Sequence, residues 1–324
     1  MEYLIDIVLL GLLMITGFAI VRMRSLLAVA MLTSIYSLLS AALFVVLDAV
    51  DVALTEAAIG AGISTILMLA TIALTTDEEK APRHTPLLPL IVVIATGAAL
   101  IYGTLDMPHY GDPAAPAHQH VAPTYLQDTP GEIGVPNVVT SVLASYRGYD
   151  TLGEVTVIFT AAAGVLALLG YRTRRRNSRG PGNRKLVVLR VIAKLFFPLI
   201  LLFALYIQFH GDYGPGGGFQ AGVIFATGFI LYALAFGLGN AQRVIPHRLL
   251  HIMMAVGVLI YTCVGIGSML LGGKFLEYRV LAEDPVTGQH LGIMLIELGV
   301  GITVAAVMLI IYYGFVSRQR SGDM

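Results

Sequence analysis

Charged residues and cysteines are scarce in this sequence. Of its 324 residues, 12% are Asp, Glu, Lys or Arg, about half of the share found in a typical soluble domain. The formal net charge at pH 7 is zero, so the charge gives no indication of nucleic-acid binding. The one cysteine, Cys263, lies in an apolar run. It cannot form an internal disulfide, and a cysteine-rich metal or iron–sulfur site is excluded.

A signal-peptide pattern is also missing from the N-terminus. The chain opens with Met1, Glu2 and Tyr3, without a basic segment, and the apolar run that follows is longer than that of a signal peptide. We therefore expect residues 3–21 to stay in the protein as a first membrane span. The sequence contains no lipidation motif.

Apolar residues dominate the composition of the sequence. They make up 57% of the chain, and the mean hydropathy is +0.81. A helix needs about 17–25 apolar residues to cross a bilayer. The sequence accordingly predicts an all-α polytopic membrane protein with about nine transmembrane helices. They are expected near residues 3–21, 26–47, 52–75, 86–105, 150–171, 186–208, 217–238, 248–271 and 290–314.

The basic residues predict how these spans are oriented. All but three of the 20 lysine and arginine residues lie on one set of connections or just inside the adjoining helix ends; the exceptions are Arg147, Lys274 and Arg279. Because basic residues favour the cytoplasmic side of a membrane, we expect the N-terminus outside and the C-terminus in the cytoplasm. The bias recurs at every basic connection, which also favours an odd number of spans.

Two connections are long. Residues 106–149 form the predicted outer loop, in which Asn137 is placed to cap a short helix lying on the membrane surface or on a neighbouring subunit. Residues 172–185 (RTRRRNSRGPGNRK) form a basic linker on the predicted inner side. The linker is the best candidate for a domain boundary. The simpler explanation, which we favour, is an ordinary topology determinant that also touches anionic membrane lipids.

Acidic residues inside the predicted spans are the first candidate site residues, because a charge at membrane depth is costly and usually faces protein or water. Glu56 lies in the third span and Glu154 in the fifth. Asp51 and Asp150 precede them, and Asp150 shares a helix face with Glu154. Carboxylates can bind Na⁺ or exchange protons. The alternatives are structural ion pairs for the two glutamates and helix capping for the two aspartates.

Two further candidates lie in the second half of the chain. Glu297 is at a similar depth from the outer end of the ninth span, and it could serve the same path or pair across an interface with a partner. Lys194 is on the predicted inner half of the sixth span. It could modulate nearby carboxylates or extend its ammonium group to the membrane surface.

A glycine-rich run joins the sixth and seventh spans on the predicted outer side. It reads HGDYGPGGGFQAG from His210 to Gly222 and lacks the Lys-Ser/Thr pair of a phosphate-binding loop. Glycine allows sharp turns and close helix approach. A tight structural turn is therefore predicted at Gly214, Pro215, Gly216, Gly217, Gly218 and Gly222. His210 and Asp212 are candidates for a water-filled entrance.

Two histidine pairs complete the candidates, and neither is expected to bind metal. His118 and His120 form an H-x-H pattern in the outer loop without a further clustered ligand. His247 and His251 are four residues apart at the inner start of the eighth span, where packing is the simpler explanation.

These motifs resemble a known family of membrane complexes. The run DVALTEAAIGAGISTILM at 51–68 resembles the MbhD-type domain. The stretch containing Gly111-Asp-Pro113, Pro136-Asn-Val-Val-Thr140 and 146–154 (YRGYDTLGE) resembles the MbhE-type domain. The HGDYGPGGGFQAG run and its four spans resemble the B component (MnhB/MrpB-like) of Mrp-type multisubunit Na⁺/H⁺ antiporters. The domains are expected at 1–80, 81–176 and 177–324.

The resemblance implies a component of an Mrp-type antiporter in a prokaryotic plasma membrane. The implied partners are the large antiporter-like A and D subunits and the small C, E, F and G subunits. In the family, acidic residues of the MbhD- and MbhE-like helices belong to the sodium route, which carries over to Glu56 and Glu154. The usual arrangement places these two domains in the large A protein, whereas here they precede the B-like part. No large antiporter-like domain accompanies them, so we do not expect this chain to transport ions alone.

Three alternatives stay open on the sequence. The same module occurs in membrane-bound hydrogenases and related redox pumps, which would have iron–sulfur or nickel partner subunits. A scaffold subunit that conducts nothing is a second alternative, and an independent secondary transporter is a third. This chain carries no ligand cluster for haem or iron–sulfur centres, so we expect no cofactor and no catalysis, only transported Na⁺ and H⁺.

Overall fold

The computed structural model of the chain describes residues 2–79, 87–109, 111–169 and 187–322. Within these ranges, nine helices are long and apolar enough to cross a membrane, which confirms the predicted spans with ends moved by a few residues. The basic linker 172–185 and the predicted domain boundaries after residues 80 and 176 lie outside the described residues. The nine helices are α1 (Tyr3–Arg22), α2 (Leu26–Val46), α3 (Val50–Ile72), α4 (Leu87–Thr104), α5 (Gly148–Leu169), α6 (Val187–His210), α7 (Gly218–Phe236), α8 (His247–Leu270) and α9 (Pro285–Arg318).

Short helices connect the spans at both ends of the bundle. Before α5, the chain forms the short α-helices Pro116–Gln119, Val121–Gln127, Thr129–Glu132 and Val138–Ser141, and then the π-helix Val142–Tyr146. The helix Leu238–Val244 joins α7 to α8, and the 3-10 helix Tyr278–Leu281 precedes α9.

The connections lie on two opposite sides of the bundle, as alternating spans require. On one side, Asn137 contacts the start of α3 through Asp51. On the other, the backbone N–H of Leu26 donates to the carbonyl of Asp77 at 2.7 Å, which joins the start of α2 to the segment after α3. We call the side of Asn137 the outer side, following the orientation that the basic residues predict.

The best-packed part of the protein is formed by α7, α8 and α9. About 67% of the most apolar stretch of α9 is buried, whereas none of α4 is. Glycines bring these helices together: Gly257 of α8 faces Gly299 of α9, and Gly222 of α7 faces Gly301. Because lipid tails are as apolar as leucine, close van der Waals packing of small residues takes over the role that the hydrophobic effect has in water.

The middle of α3 is a π-helix, Glu56–Ser64. A π-helix has a wider hydrogen-bonding spacing than an α-helix and is often found at functional sites. The hydroxyl of Ser34 in α2 donates to the carbonyl oxygen of Ala61 at 3.0 Å, which satisfies one backbone acceptor in this segment. The sequence did not predict this departure from α-helical geometry.

The predicted short helix after Asn137 is present, and Asn137 caps it. The backbone N–H of Val139 donates to Asn137 Oδ1 at 2.9 Å. We expected this segment to lie on the membrane surface or on a neighbouring subunit. In the structure it packs on its own chain. Ser145 Oγ donates to Gln289 Oε1 at 2.9 Å, and Tyr278 Oη donates to the carbonyl of Ala144 at 2.9 Å. Both partners precede or begin α9, so the outer segment covers the outer end of that helix.

The first turn of α9 gives a testable pH dependence. Hydrogen bonds from the Thr287 side chain and backbone lower the pKa of Asp284 below its ordinary value of 3.8. The charged form therefore stabilises the folded helix start at neutral pH, and this contribution is lost as the pH falls through and below that ordinary value. We expect Asp284→Asn to lower the thermal stability of the purified protein at pH 7. The difference from the unsubstituted protein should shrink as the pH falls below 3.8; a difference that stays constant from pH 7 to the lowest pH at which the protein is folded would contradict this account.

Candidate functional site: an acidic cavity at the outer side

A cavity of about 590 Å³ lies between the first, second and last parts of the chain. Its walls come from α3, the outer segment before α5, α5 itself, and the facing sides of α7 and α9. Most of the lining is aliphatic, aromatic or glycine. The lining residues are Asp51, Val52, Thr55, Ile59, Val139, Thr140, Leu143, Ala144, Thr151, Glu154, Val157, Ile158, Gly216, Gly217, Gly218, Phe219, Gln220, Ile296, Glu297 and Val300.

Three carboxylates line this cavity, and each comes from a different part of the chain. Asp51 is in the first turn of α3, Glu154 in the first half of α5, and Glu297 in α9. Among the described residues, no lysine or arginine lines the cavity. The charged groups of the lining are therefore all acidic, which favours a cation over an anion.

Asn137 joins the three parts of the chain beside the cavity. Its side-chain nitrogen donates to Asp51 Oδ1 at 3.2 Å, to the carbonyl of Gly211 at 3.2 Å and to the carbonyl of Gly214 at 2.9 Å. Its backbone N–H donates to the carbonyl of Asp212 at 3.0 Å. One side chain thus holds the start of α3 against the glycine-rich turn, and the carboxylate of Asp51 is fixed in the process.

Two further polar contacts hold the same parts together. Gln220 Nε2 in α7 donates to Thr55 Oγ1 in α3 at 2.6 Å. Thr140 Oγ1 donates to the carbonyl of Gly211 at 2.6 Å, and Thr140 is buried. Hydrogen bonds between helices in a membrane contribute on the order of 0.6 kcal/mol each, so several are needed to hold such a junction.

Glu297 lies against the glycine-rich turn. A Cβ atom at Gly217 would be 3.2 Å from Glu297 Oε1, and one at Gly211 would be 3.3 Å from Glu297 Oε2. Gly218 packs directly on the backbone of Glu297. The glycines therefore leave room for the carboxylate, which makes no hydrogen bond or ion pair within the described part of the chain.

The other residues of the glycine-rich run lie beside the cavity rather than in its walls. The ring of His210 stacks on Tyr206, with 4.9 Å between the ring centroids, and its Nε2 is near Gly214. Asp212 Oδ2 is 3.6 Å from His290 Nδ1 in the first turns of α9. Pro215 also stands outside the lining, whereas Gly216, Gly217 and Gly218 belong to it.

Glu56 and Lys194 do not reach the cavity. The side chains of Glu56 and of Ser37 in α2 both lie next to Gly60. A Cβ atom added at Gly60 would be 2.5 Å from Glu56 Oε1 and 2.6 Å from Ser37 Oγ. The carboxylate thus faces α2, away from Thr55 and the cavity. Lys194 is exposed on α6. Asp150 pairs with Arg147, whose Nε donates to Asp150 Oδ2 at 2.6 Å, outside the lining.

The histidine pairs are not part of this site. Within the described residues, no group of three or more His, Cys, Asp and Glu side chains is placed to hold a metal ion. His247 packs edge-on against Tyr313 and is 3.1 Å from the side-chain nitrogen of Gln242.

The sequence-based predictions missed several polar residues. Thr55, Gln220 and Asn137 were not assigned to the site, because uncharged polar residues in apolar runs give a weak signal. Asp6 was missed despite a clear signal, since it is an acidic residue inside the first apolar run. One of its carboxylate oxygens is buried without a hydrogen-bond partner among the described residues.

The structure therefore defines a class of protein: a polytopic membrane protein in which three parts enclose a cavity lined by carboxylates. Three family profiles match successive parts of the chain. The MbhD profile, which describes the D component of MBH, matches residues 11–77. The MbhE profile, which describes the E component of MBH, matches 88–185. The MnhB profile, described as "Domain related to MnhB subunit of Na+/H+ antiporter", matches 188–310.

Individual relatives agree with these profiles. The putative antiporter protein mnhB2 of Staphylococcus aureus is 38% identical over 125 residues, which cover 38% of this chain and 88% of that protein. A probable A/B component of a K⁺/H⁺ antiporter from Rhizobium meliloti is 29% identical over 249 residues, covering 68% of this chain and 24% of that one.

Two solved structures are similar. One chain of the Mrp complex from Dietzia sp. DQ12-45-1b has a TM-score of 0.76 and 26% identity, over 95% of this chain and 34% of that chain. A chain of the archaeal membrane-bound sulfane sulfur reductase has a TM-score of 0.56 and 34% identity, over 70% of this chain and 96% of that chain. This chain thus spans about a quarter of the Rhizobium relative and about a third of the Dietzia chain.

The chain belongs to the MnhB-related family of Mrp-type antiporter subunits, with MbhD- and MbhE-type domains preceding the MnhB domain. It is a multi-pass protein of a prokaryotic plasma membrane.

Proposed function

We propose that this chain is a membrane subunit of an Mrp-type cation/proton antiporter and that the acidic cavity is part of its cation path. The observation that supports this most directly is the meeting of Asp51, Glu154 and Glu297, one from each part of the chain, in one cavity. A chain that only filled space between partners would have no need to bring three carboxylates together in the membrane, because each is costly there.

The chemistry follows from the ligand preferences of alkali cations and from the charge of the cavity. Na⁺ is a hard cation that prefers oxygen ligands. The carboxylates, with the hydroxyls of Thr55 and Thr151, offer such oxygens. A carboxylate can hold either a proton or Na⁺, so the two ions compete for it, which is what exchange requires. The K⁺/H⁺ name of the Rhizobium relative leaves K⁺ as a second candidate cargo.

The proposed partners are the other Mrp-type subunits, namely the large A and D subunits and the small C, E, F and G subunits. The Dietzia structure of an Mrp complex supports such an assembly. Largely exposed apolar helices also support it, above all α4, of which nothing is buried in its most apolar stretch. The N-outside orientation is part of this proposal.

The test is Glu154→Gln in the complete complex, which removes the charge and keeps the shape of the side chain. We expect Na⁺-dependent proton movement in everted membrane vesicles to be lost, or the KM for Na⁺ to rise about tenfold, the effect of roughly 1.4 kcal/mol. Glu283→Gln is the matched control, since Glu283 is exposed before α9 and outside the cavity. Unchanged exchange in a correctly assembled Glu154→Gln complex would refute the proposed path.

Glu56 requires a separate arm of the same experiment, because it faces α2 rather than the cavity. We propose that Glu56 also belongs to the ion path, through a second position between α2 and α3. If Glu56→Gln exchanges ions normally while Glu154→Gln does not, the path includes the cavity but not Glu56. If neither variant alters exchange in an assembled complex, this chain is a scaffold.

A redox pump is the second candidate. The two profiles named for MBH subunits and the sulfane sulfur reductase structure favour it. Mass spectrometry of the intact purified complex separates the two: iron–sulfur proteins among the partners would favour the redox complex, and antiporter-like proteins without them would favour the antiporter.

A further inference from the structure

We infer that the acidic cavity also binds a hydrophobic organic monocation, a molecule with one permanent positive charge surrounded by apolar groups. The volume of about 590 Å³ is far more than one Na⁺ needs. It lies within the range of about 300–1,000 Å³ that is typical of small-molecule pockets, which are mostly apolar with a few placed polar groups.

The apolar lining of the cavity suits an organic cation better than a hydrated ion. Ile59, Leu143, Ile158 and Ile296 contribute aliphatic surface around the carboxylates. These side chains offer van der Waals contacts to a ligand with a large apolar body, and a small hydrated ion cannot make such contacts.

The charges of the cavity select the sign of the ligand. Glu297 lines the cavity, and its carboxylate makes no hydrogen bond or ion pair with any described residue. Glu154 also lines it without such a partner. With three acidic residues and no basic residue in the lining, the cavity offers partners to a cation and none to an anion.

The cavity opens at the surface of the chain. Val157, one of the lining residues, is 67% exposed on α5. Leu143, at the outer edge of the cavity, is 45% exposed. These two exposed side chains leave the cavity open at the surface of this chain. Competition of this ligand with Na⁺ rests on the proposed function, whereas the binding itself does not.

The experiment measures equilibrium binding of radiolabelled tetraphenylphosphonium to the purified, assembled complex. We expect saturable binding at one site per copy of this chain. Neutral triphenylphosphine oxide should not displace the label. The double variant Glu154→Gln/Glu297→Gln should weaken binding at least about tenfold, and Glu283→Gln should not change it. Non-saturable partitioning, or unchanged binding in the double variant, would overturn the inference.

A second variant keeps the test decisive if the double variant does not assemble. Val157→Trp retains both carboxylates and adds bulk at an exposed position on the rim, so binding should fall while assembly is preserved; unchanged binding would overturn the inference. Saturable binding that Na⁺ fails to displace would contradict the proposed cation path and leave the organic-cation site in place. Displacement by Na⁺ supports both.

Discussion

Replacing Asn137 with alanine will disrupt the junction of all three parts of the chain. The substitution removes the donor to Asp51, Gly211 and Gly214 and the cap on the helix at Val138. A lost N-cap costs about 1 kcal/mol, and the three side-chain hydrogen bonds contribute about 2 kcal/mol more, at about 0.6 kcal/mol for each bond between helices in a membrane. The total is about 2–4 kcal/mol, a large part of the stability of a typical protein. We expect a clearly lower melting temperature of the purified complex and a loss of ion exchange.

Asn240→Ala is the matched control for this substitution. The side chain of Asn240 is exposed and donates a single bond, to the carbonyl of Phe236 at 2.9 Å. Its removal should leave both the melting temperature and exchange almost unchanged. Asn137→Asp provides a second variant: it retains the cap acceptor but places a carboxylate beside Asp51, so it should destabilise the junction as well. A normal melting temperature for both Asn137 variants would show that Asn137 does not hold the parts together.

Gly218→Ala should separate α7 from α9 at the wall of the cavity. An alanine Cβ would lie 2.9 Å from the carbonyl carbon of Glu297 and 3.0 Å from the backbone nitrogen of Gly301. Because both neighbours are backbone, neither can rotate away, and overpacking of this kind costs about 1–3 kcal/mol. We expect less assembled complex, a lower melting temperature, and weakened exchange, since Glu297 is displaced with the helix.

Gly267→Ala tests whether the effect comes from the contact rather than from the change to alanine. Gly267 is also within a spanning helix, α8, but nothing lies within 4 Å of its would-be Cβ. Since alanine is the better helix former by about 1 kcal/mol, this variant should be as stable as the original or slightly more so. Equal destabilisation by the two alanines would contradict the role of close packing at Gly218.

The helices could be predicted from the sequence because a bilayer sets their length. Each apolar run long enough to cross the hydrocarbon core became a span, since a shorter or more polar segment leaves backbone or charge in lipid. The cap at Asn137 was also predictable, because a side-chain oxygen next to free backbone N–H groups is a local arrangement.

The grouping of the acids could not be predicted, because hydropathy does not fix how a helix is rotated when nearly all of its faces are apolar. Glu56 and Thr55 are neighbours in the sequence, yet Thr55 lines the cavity and Glu56 faces Ser37 of α2. The π-helix that begins at Glu56 changes the angular spacing of the residues after it. No pattern in the sequence indicated this change in helix geometry.

The apolar runs of this chain determined by themselves that the protein lies in a membrane and where the spans of its described part fall, and the scarcity of charge left only a few acidic residues as candidates for ion handling. Only the tertiary structure decided that Asp51, Glu154 and Glu297 share one cavity while Glu56 and Lys194 stand apart from it. The reason is physical. Span length depends on local composition, whereas the meeting of three side chains from distant helices depends on close contacts at glycines and on the hydrogen bonds of Asn137 and Gln220.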